Sequence, residues 1–218
     1  MLGNVITESD GINNFWFGVD PCMDAGLLLS GYVDHDPEGR YCFQTTHVDE
    51  KYPEYFQNRG DFRMIWCLRN PKSVVYSLMY NWSDWGLNAT FRRCGLADMR
   101  MGRVRRLAHK VLGTRAISRL ERACMIYNSK VSQLFILARN LPTERLLVID
   151  YDELVKRKNE MLPKVYEFIE LEYRQRYADK ILGTSIDKAS KLSKREASFI
   201  QTECGPVYQE AREHRSLQ

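Results

Sequence analysis

The stretch Met64-Ile-Trp-Cys-Leu-Arg69-Asn-Pro-Lys72-Ser-Val-Val-Tyr-Ser77 decides the fold. Its first half is a short, uniformly apolar run, the pattern of a strand buried on both faces. The run ends in an arginine. Asparagine and proline follow at once, a capping residue and a residue suited to the first helical turn. A helix is therefore predicted from Asn70-Pro71 to about Trp85. Ligands of parallel α/β sheets bind beyond the carboxyl ends of the strands. Arg69 stands at such an end, and its guanidinium offers a fixed fork of donors suited to phosphate oxygens. Ser77, two turns into the helix, can add a hydroxyl to the same group. The alternative for Arg69 is a structural ion pair with Asp150 or Glu153. Ser77 is otherwise a small helix-packing residue, and Lys72 a solvated side chain in the first turn.

Further runs fit the same architecture. Asn4–Thr7 and Tyr41–Thr46 read as strands, and Arg145–Asp150 as a second doubly buried strand. Helices are predicted over about Met101–Asn140, with a break near Gly113-Thr114, and over Asn159–Glu170, with Pro163 in or near its first turn. Ser193-Lys-Arg-Glu196 is a capping box that opens a helix toward Arg212, kinked at Gly205-Pro206. Strands alternating with helices argue for an α/β fold, a parallel β-sheet flanked by helices. The 218 residues suit one domain, 1–218.

Composition excludes several classes. Hydrophobic residues make up 44% and charged residues 28%, an ordinary globular balance. A net charge of +4 does not by itself mark a nucleic-acid binder. No run is long and apolar enough for a membrane span, and Met1–Glu8 lacks the features of a secretory signal. A cytoplasmic location is expected on that basis. The six cysteines form no CxxC and the four histidines no HxxxH, so no metal site is expected and the thiols read as reduced and mostly buried. Asn81-Trp-Ser83 and Asn88-Ala-Thr90 read as chance matches to a glycosylation sequon.

Charge is concentrated in one place. Residues 91–122 carry ten Lys/Arg against Asp98 and Glu121, a net +8 that leaves −4 elsewhere. Arg103, Arg106 and Lys110 fall three and four apart, on one helical face. The segment reads either as a solvated helix face or as a docking surface for an anion. Trp82 and Trp85 read as core residues or as a platform for a flat ligand.

With these residues in view, the chain resembles the sulfotransferases that use 3′-phosphoadenosine 5′-phosphosulfate (PAPS). Strand-Arg-Asn-Pro-Lys-x4-Ser resembles their 3′-phosphate-binding motif. Thr45-Thr-His47 is similar to their Lys-Thr-His segment. Leu146–Leu154 and Val165–Leu171 resemble the strand, "YEDL" and "FLGL" segments, and Leu192–Glu196 with Cys204-Gly-Pro206 resembles the C-terminal helix of carbohydrate-type and bacterial members. The resemblance implies a P-loop NTPase-like α/β fold and sulfuryl transfer from PAPS to a hydroxyl- or amine-bearing acceptor, without a metal or nucleic acid. It implies that Arg69 and Ser77, with Lys72 nearby, bind the nucleotide. It offers His47 as the general base and Glu8 as its rival. Residues 91–140 become a basic helical acceptor-binding or lid segment, in which Arg103, Arg106 and Lys110 would suit an anionic acceptor.

The departures are specific. No Pro-x-Ser-Gly-Thr-Thr-type loop for the 5′-phosphosulfate is present, and Gly26–Gly31 is followed by Tyr32 where a Walker lysine would stand. Thr45 replaces a lysine, and no C-terminal Arg-Lys-Gly occurs. The sequence is therefore read as an N-terminally truncated or late-started version of a larger enzyme. Activity of the chain alone is doubtful, since a lost preorganised donor typically costs about a hundredfold or more. Two other readings stay open: a catalytically dead module that binds the product nucleotide PAP or another anion, and an interaction protein on the same scaffold.

Overall fold

A computed structural model describes the backbone of residues 13–17 and 41–45, and residues 62–95, 117–181 and 183–214, with 107 and 113 singly. Four strands are described: β1 (Asn13–Phe17), β2 (Tyr41–Thr45), β3 (Met64–Leu68) and β4 (Leu146–Asp150). Both pairings are parallel, β1 with β2 and β3 with β4. The order of strands and helices is that of an α/β protein with a parallel sheet. β1 has no counterpart among the predicted strands, and the predicted strand Asn4–Thr7 lies outside the described residues.

The helices are α1 (Pro71–Tyr80), α2 (Asp84–Arg93), α3 (Arg119–Asn140), α4 (Tyr151–Lys156), α5 (Lys158–Phe168), α6 (Arg176–Asp179) and α7 (Lys194–Glu213). A short 3₁₀ turn, Thr143–Arg145, precedes β4, and another, Gly183–Lys191, precedes α7.

β4 divides the core. Leu146 and Val148 face a cluster with Val75 and Leu78 of α1, Ile126 and Leu134 of α3, and Ile200 and Val207 of α7. Leu147 and Ile149 face the opposite cluster with Leu154, Leu162, Val165, Tyr166 and Tyr177. This is the two-residue alternation of a strand covered on both sides. β3 departs from the expectation of double burial. Only Leu68 is buried and Cys67 is exposed. Among the described residues β3 pairs with β4 alone, so it does not sit at the centre of a wide described sheet. Cys94, Cys124 and Cys204 are buried free thiols, as expected.

The helix predicted to reach Trp85 stops at Tyr80. Ser83 caps a new helix, its hydroxyl accepting the Gly86 amide at 3.1 Å, with Asp84 in the first turn. Arg119 closes the junction from α3. Its Nε and Nη2 donate to the Met79 and Trp82 carbonyls, each at 2.7 Å, and Nη1 pairs with Asp84. Those carbonyls lie where a helix end leaves acceptors unsatisfied. After the predicted break, α3 opens at the Ser118–Glu121 capping box, and Leu107, before the break, is helical. Gly113 has φ +65°, a left-handed value consistent with the predicted break.

α5 starts at Lys158, one residue before the predicted Asn159, and Pro163 lies just past its first turn, as read. α5 closes with Glu170 at φ 55°, its amide bonding to Glu167 O at 3.0 Å and the Leu171 amide to Tyr166 O at 2.9 Å. This is the paired-bond ending more commonly built on glycine. The capping box at Ser193–Glu196 is present, and α7 continues without interruption through Gly205-Pro206.

Candidate functional site

The site forms where β3 and β4 end together. Their register sets Leu68 beside Asp150, so Arg69 and Tyr151 leave the sheet as neighbours. Each strand runs directly into a helix.

At the end of β3, Asn70 caps α1. Its Oδ1 accepts the Lys72 amide at 2.9 Å, and its carbonyl accepts from Ser73 and Val74 at 3.1 and 3.2 Å. Pro71 occupies the first helical position and α1 has no acidic residue in its first turn. The positive end of the helix thus has no carboxylate from its own first turn, and stands next to Arg69 and Lys72. Here the sequence reading and the structure agree, because asparagine cap and proline act locally.

Arg69 is held from several sides. Its Nε lies 3.5 Å from Asp152 Oδ1, with side chains 23% and 15% exposed. Its guanidinium carbon sits 4.9 Å from the centre of the Tyr151 ring, within cation–π range. Its carbonyl accepts the Tyr127 hydroxyl at 2.8 Å. Asp152 Oδ2 also accepts the Asn70 amide at 3.3 Å. The ion-pair partner is thus Asp152, rather than Asp150 or Glu153. Glu153 lies 3.6 Å from Lys156 instead. Burial raises the Asp152 pKa above the usual carboxylate value, and the opposing pull of Arg69 does not cancel it.

Asp150 has a different set of partners. It is buried, and its Oδ1 caps α4 by accepting the Asp152 and Glu153 amides at 3.0 and 3.3 Å. Its Oδ2 accepts the Tyr208 hydroxyl at 2.7 Å and lies 3.9 Å from Arg212 Nε. Burial and the Asp150 hydrogen bond raise the Tyr208 pKa, so its phenol stays protonated as a donor. Two residues of α7 are thereby fixed to the end of β4. None of this pairing is readable locally, since it spans 58 residues of sequence.

Ser77 stands half-buried on α1. Its Oγ accepts the Asn81 side-chain amide at 3.3 Å and keeps its own hydrogen to donate. Arg69, Lys72 and Ser77 therefore belong to one strand–helix unit. His47 and Glu8 lie outside the described residues, as do Arg103, Arg106 and Lys110. Two other cations of the basic segment are described as structural: Arg119 at the α1–α2 junction, and Arg122, whose Nη1 donates to Ile117 O at 2.6 Å. This local use of arginine is neither of the roles read from charge alone. Trp82 packs partly against the core, whereas Trp85 is 81% exposed. No cluster of metal-binding side chains occurs among the described residues. No described helix is long and apolar enough to cross a membrane.

The family model of the sulfotransferase domain matches residues 35–214, from before β2 to the end of α7. No curated protein and no solved structure matches the chain. The matched span contains β2, β3, β4 and every described helix, and the chain belongs to the sulfotransferase family.

Proposed function

We propose that the chain binds PAPS through its 3′-phosphate and serves sulfuryl transfer to a hydroxyl- or amine-bearing acceptor. The observation that carries this reading is Arg69 at the carboxyl end of β3, beside the start of α1, which has no acid in its first turn and carries Ser77 two turns on. The residues fit a phosphate dianion. Arg69 supplies charge and directed donors, Lys72 a second cation, and Ser77 a hydroxyl. PAPS supplies the sulfuryl group, and no metal is needed in this reading. His47 takes the acceptor proton, or Glu8 does. An imidazole with a pKa near 6.5 suits that task at neutral pH. The 91–140 segment, with Arg103, Arg106 and Lys110, contacts the acceptor within the single 1–218 domain, and an acidic or already sulfated sugar is the class it would suit.

The test is a calorimetric titration of the chain with adenosine 3′,5′-bisphosphate. Binding is expected for the wild type and lost in Arg69→Ala. Equal binding in both would remove Arg69 from the site. Absence of wild-type binding would overturn the nucleotide reading. A radiolabelled sulfuryl-transfer assay then separates an enzyme from a binding module, and loss of turnover in His47→Ala or Glu8→Gln, with binding kept, identifies the base.

A further inference from the structure

We propose that Asp152 is a positioning residue for the phosphate-binding arginine, holding the Nε edge of Arg69 so that the rest of the guanidinium fork is presented to the 3′-phosphate. The inference rests on the reading of Arg69 given above. One carboxylate links the two backbone segments of the site: Oδ1 lies 3.5 Å from Arg69 Nε, and Oδ2 accepts the Asn70 amide at 3.3 Å. Asp152 is itself fixed from behind. Its amide donates to Asp150 Oδ1 at 3.0 Å, and Asp150 is anchored to α7 through Tyr208 at 2.7 Å. The Tyr151 ring, 4.9 Å away, restricts the guanidinium from another side. An arginine on a flexible stem loses much rotamer freedom when it binds, and prior restriction removes that cost.

Two considerations bear on the role of Asp152. First, burial raises the Asp152 pKa despite Arg69, so its ionised form does not stabilise the fold on balance. Second, a carboxylate beside an anion site repels the anion. Removing it should tighten phosphate binding unless its hold on Arg69 matters more.

The experiment is calorimetric titration of wild type, Asp152→Asn, Asp152→Ala and Arg69→Ala. Each is titrated with adenosine 3′,5′-bisphosphate and with adenosine 5′-monophosphate, and thermal melts report folding. The readout is the preference for the 3′-phosphate, which a general loss of structure would not change selectively. Asp152→Ala is expected to lower that preference about fivefold, the scale of a solvent-accessible ion pair worth about 1 kcal/mol. Asp152→Asn should lose less, because the amide oxygen still accepts one hydrogen bond. Preference unchanged or raised in both Asp152 variants, with Arg69→Ala impaired, overturns the positioning role and leaves the nucleotide reading standing. A wild type with no preference for the 3′-phosphate overturns both.

Discussion

β3 and β4 lie side by side, end at the same level and both turn straight into a helix, yet their last turns carry opposite charge. The β3 turn is Arg69-Asn70-Pro71-Lys72, with a neutral cap and no acid in the first turn of α1. The β4 turn is Asp150-Tyr151-Asp152-Glu153, with a carboxylate cap and two more acids. The amides at the start of α4 are thus satisfied from within, while the start of α1 has no acid of its own and takes its one carboxylate contact from Asp152 of the neighbouring turn. One turn is suited to meet an anion; the other holds the first in place and ties it to α7. Two parallel strand ends at one level thus carry opposite charge and different tasks in the fold.

The largest expected effect is on the supporting side. Asp150→Ala removes a buried carboxylate from a helix cap, a tyrosine hydroxyl and a nearby guanidinium. A loss of about 2–4 kcal/mol is expected, the sum of a helix cap and a hydrogen bond to a buried charge. Asn70→Ala, at the equivalent place on β3, should cost only about 1 kcal/mol, the usual worth of a cap. Equal losses in denaturant titrations would break the comparison.

Tyr208→Phe comes next. It removes one hydrogen bond to a buried charge, worth about 1.5–3 kcal/mol, and should loosen α7 from β4. Hydrogen exchange of the C-terminal half of α7 would check this. Unchanged protection would show that apolar contacts of Val207 and Ala211 alone hold the helix.

Asp152→Asn sharpens the contrast through its sign. A carboxyl whose folded pKa is raised favours the native state most when protonated. That contribution is present below the ordinary Asp value and is lost as pH rises through the raised one. At neutral pH the asparagine variant should therefore melt no lower than wild type. A clearly lower midpoint would make Asp152 a structural residue.

The smallest effect lies away from both turns. Glu196 is held below the ordinary glutamate value, first by the Ser193 hydroxyl and then by that of Tyr80. Its stabilising contribution is present above the ordinary value and fades as pH falls through the lowered one. Glu196→Gln should flatten the acid side of the melting profile slightly. An unchanged profile would remove the cap from the account.

The strand–arginine–cap–proline unit was legible in sequence because every signal in it is local. The Ser193–Glu196 cap was legible for the same reason. The break after Tyr80 was marked by Ser83-Asp84 and the start of α3 by Ser118–Glu121, capping signals the sequence reading did not weigh. Arg69's partner was not legible. It depends on the register of Leu68 against Asp150, which chooses Asp152 over its two acidic neighbours. The Tyr208–Asp150 contact depends on the return of α7 across the sheet, which no spacing encodes.

A crystal structure of the chain with adenosine 3′,5′-bisphosphate tests the central claim most directly. The account predicts 3′-phosphate oxygens within hydrogen-bond distance of Arg69 and Ser77, with Asp152 still beside Arg69 Nε. A nucleotide bound with its 3′-phosphate away from the β3 turn would contradict it.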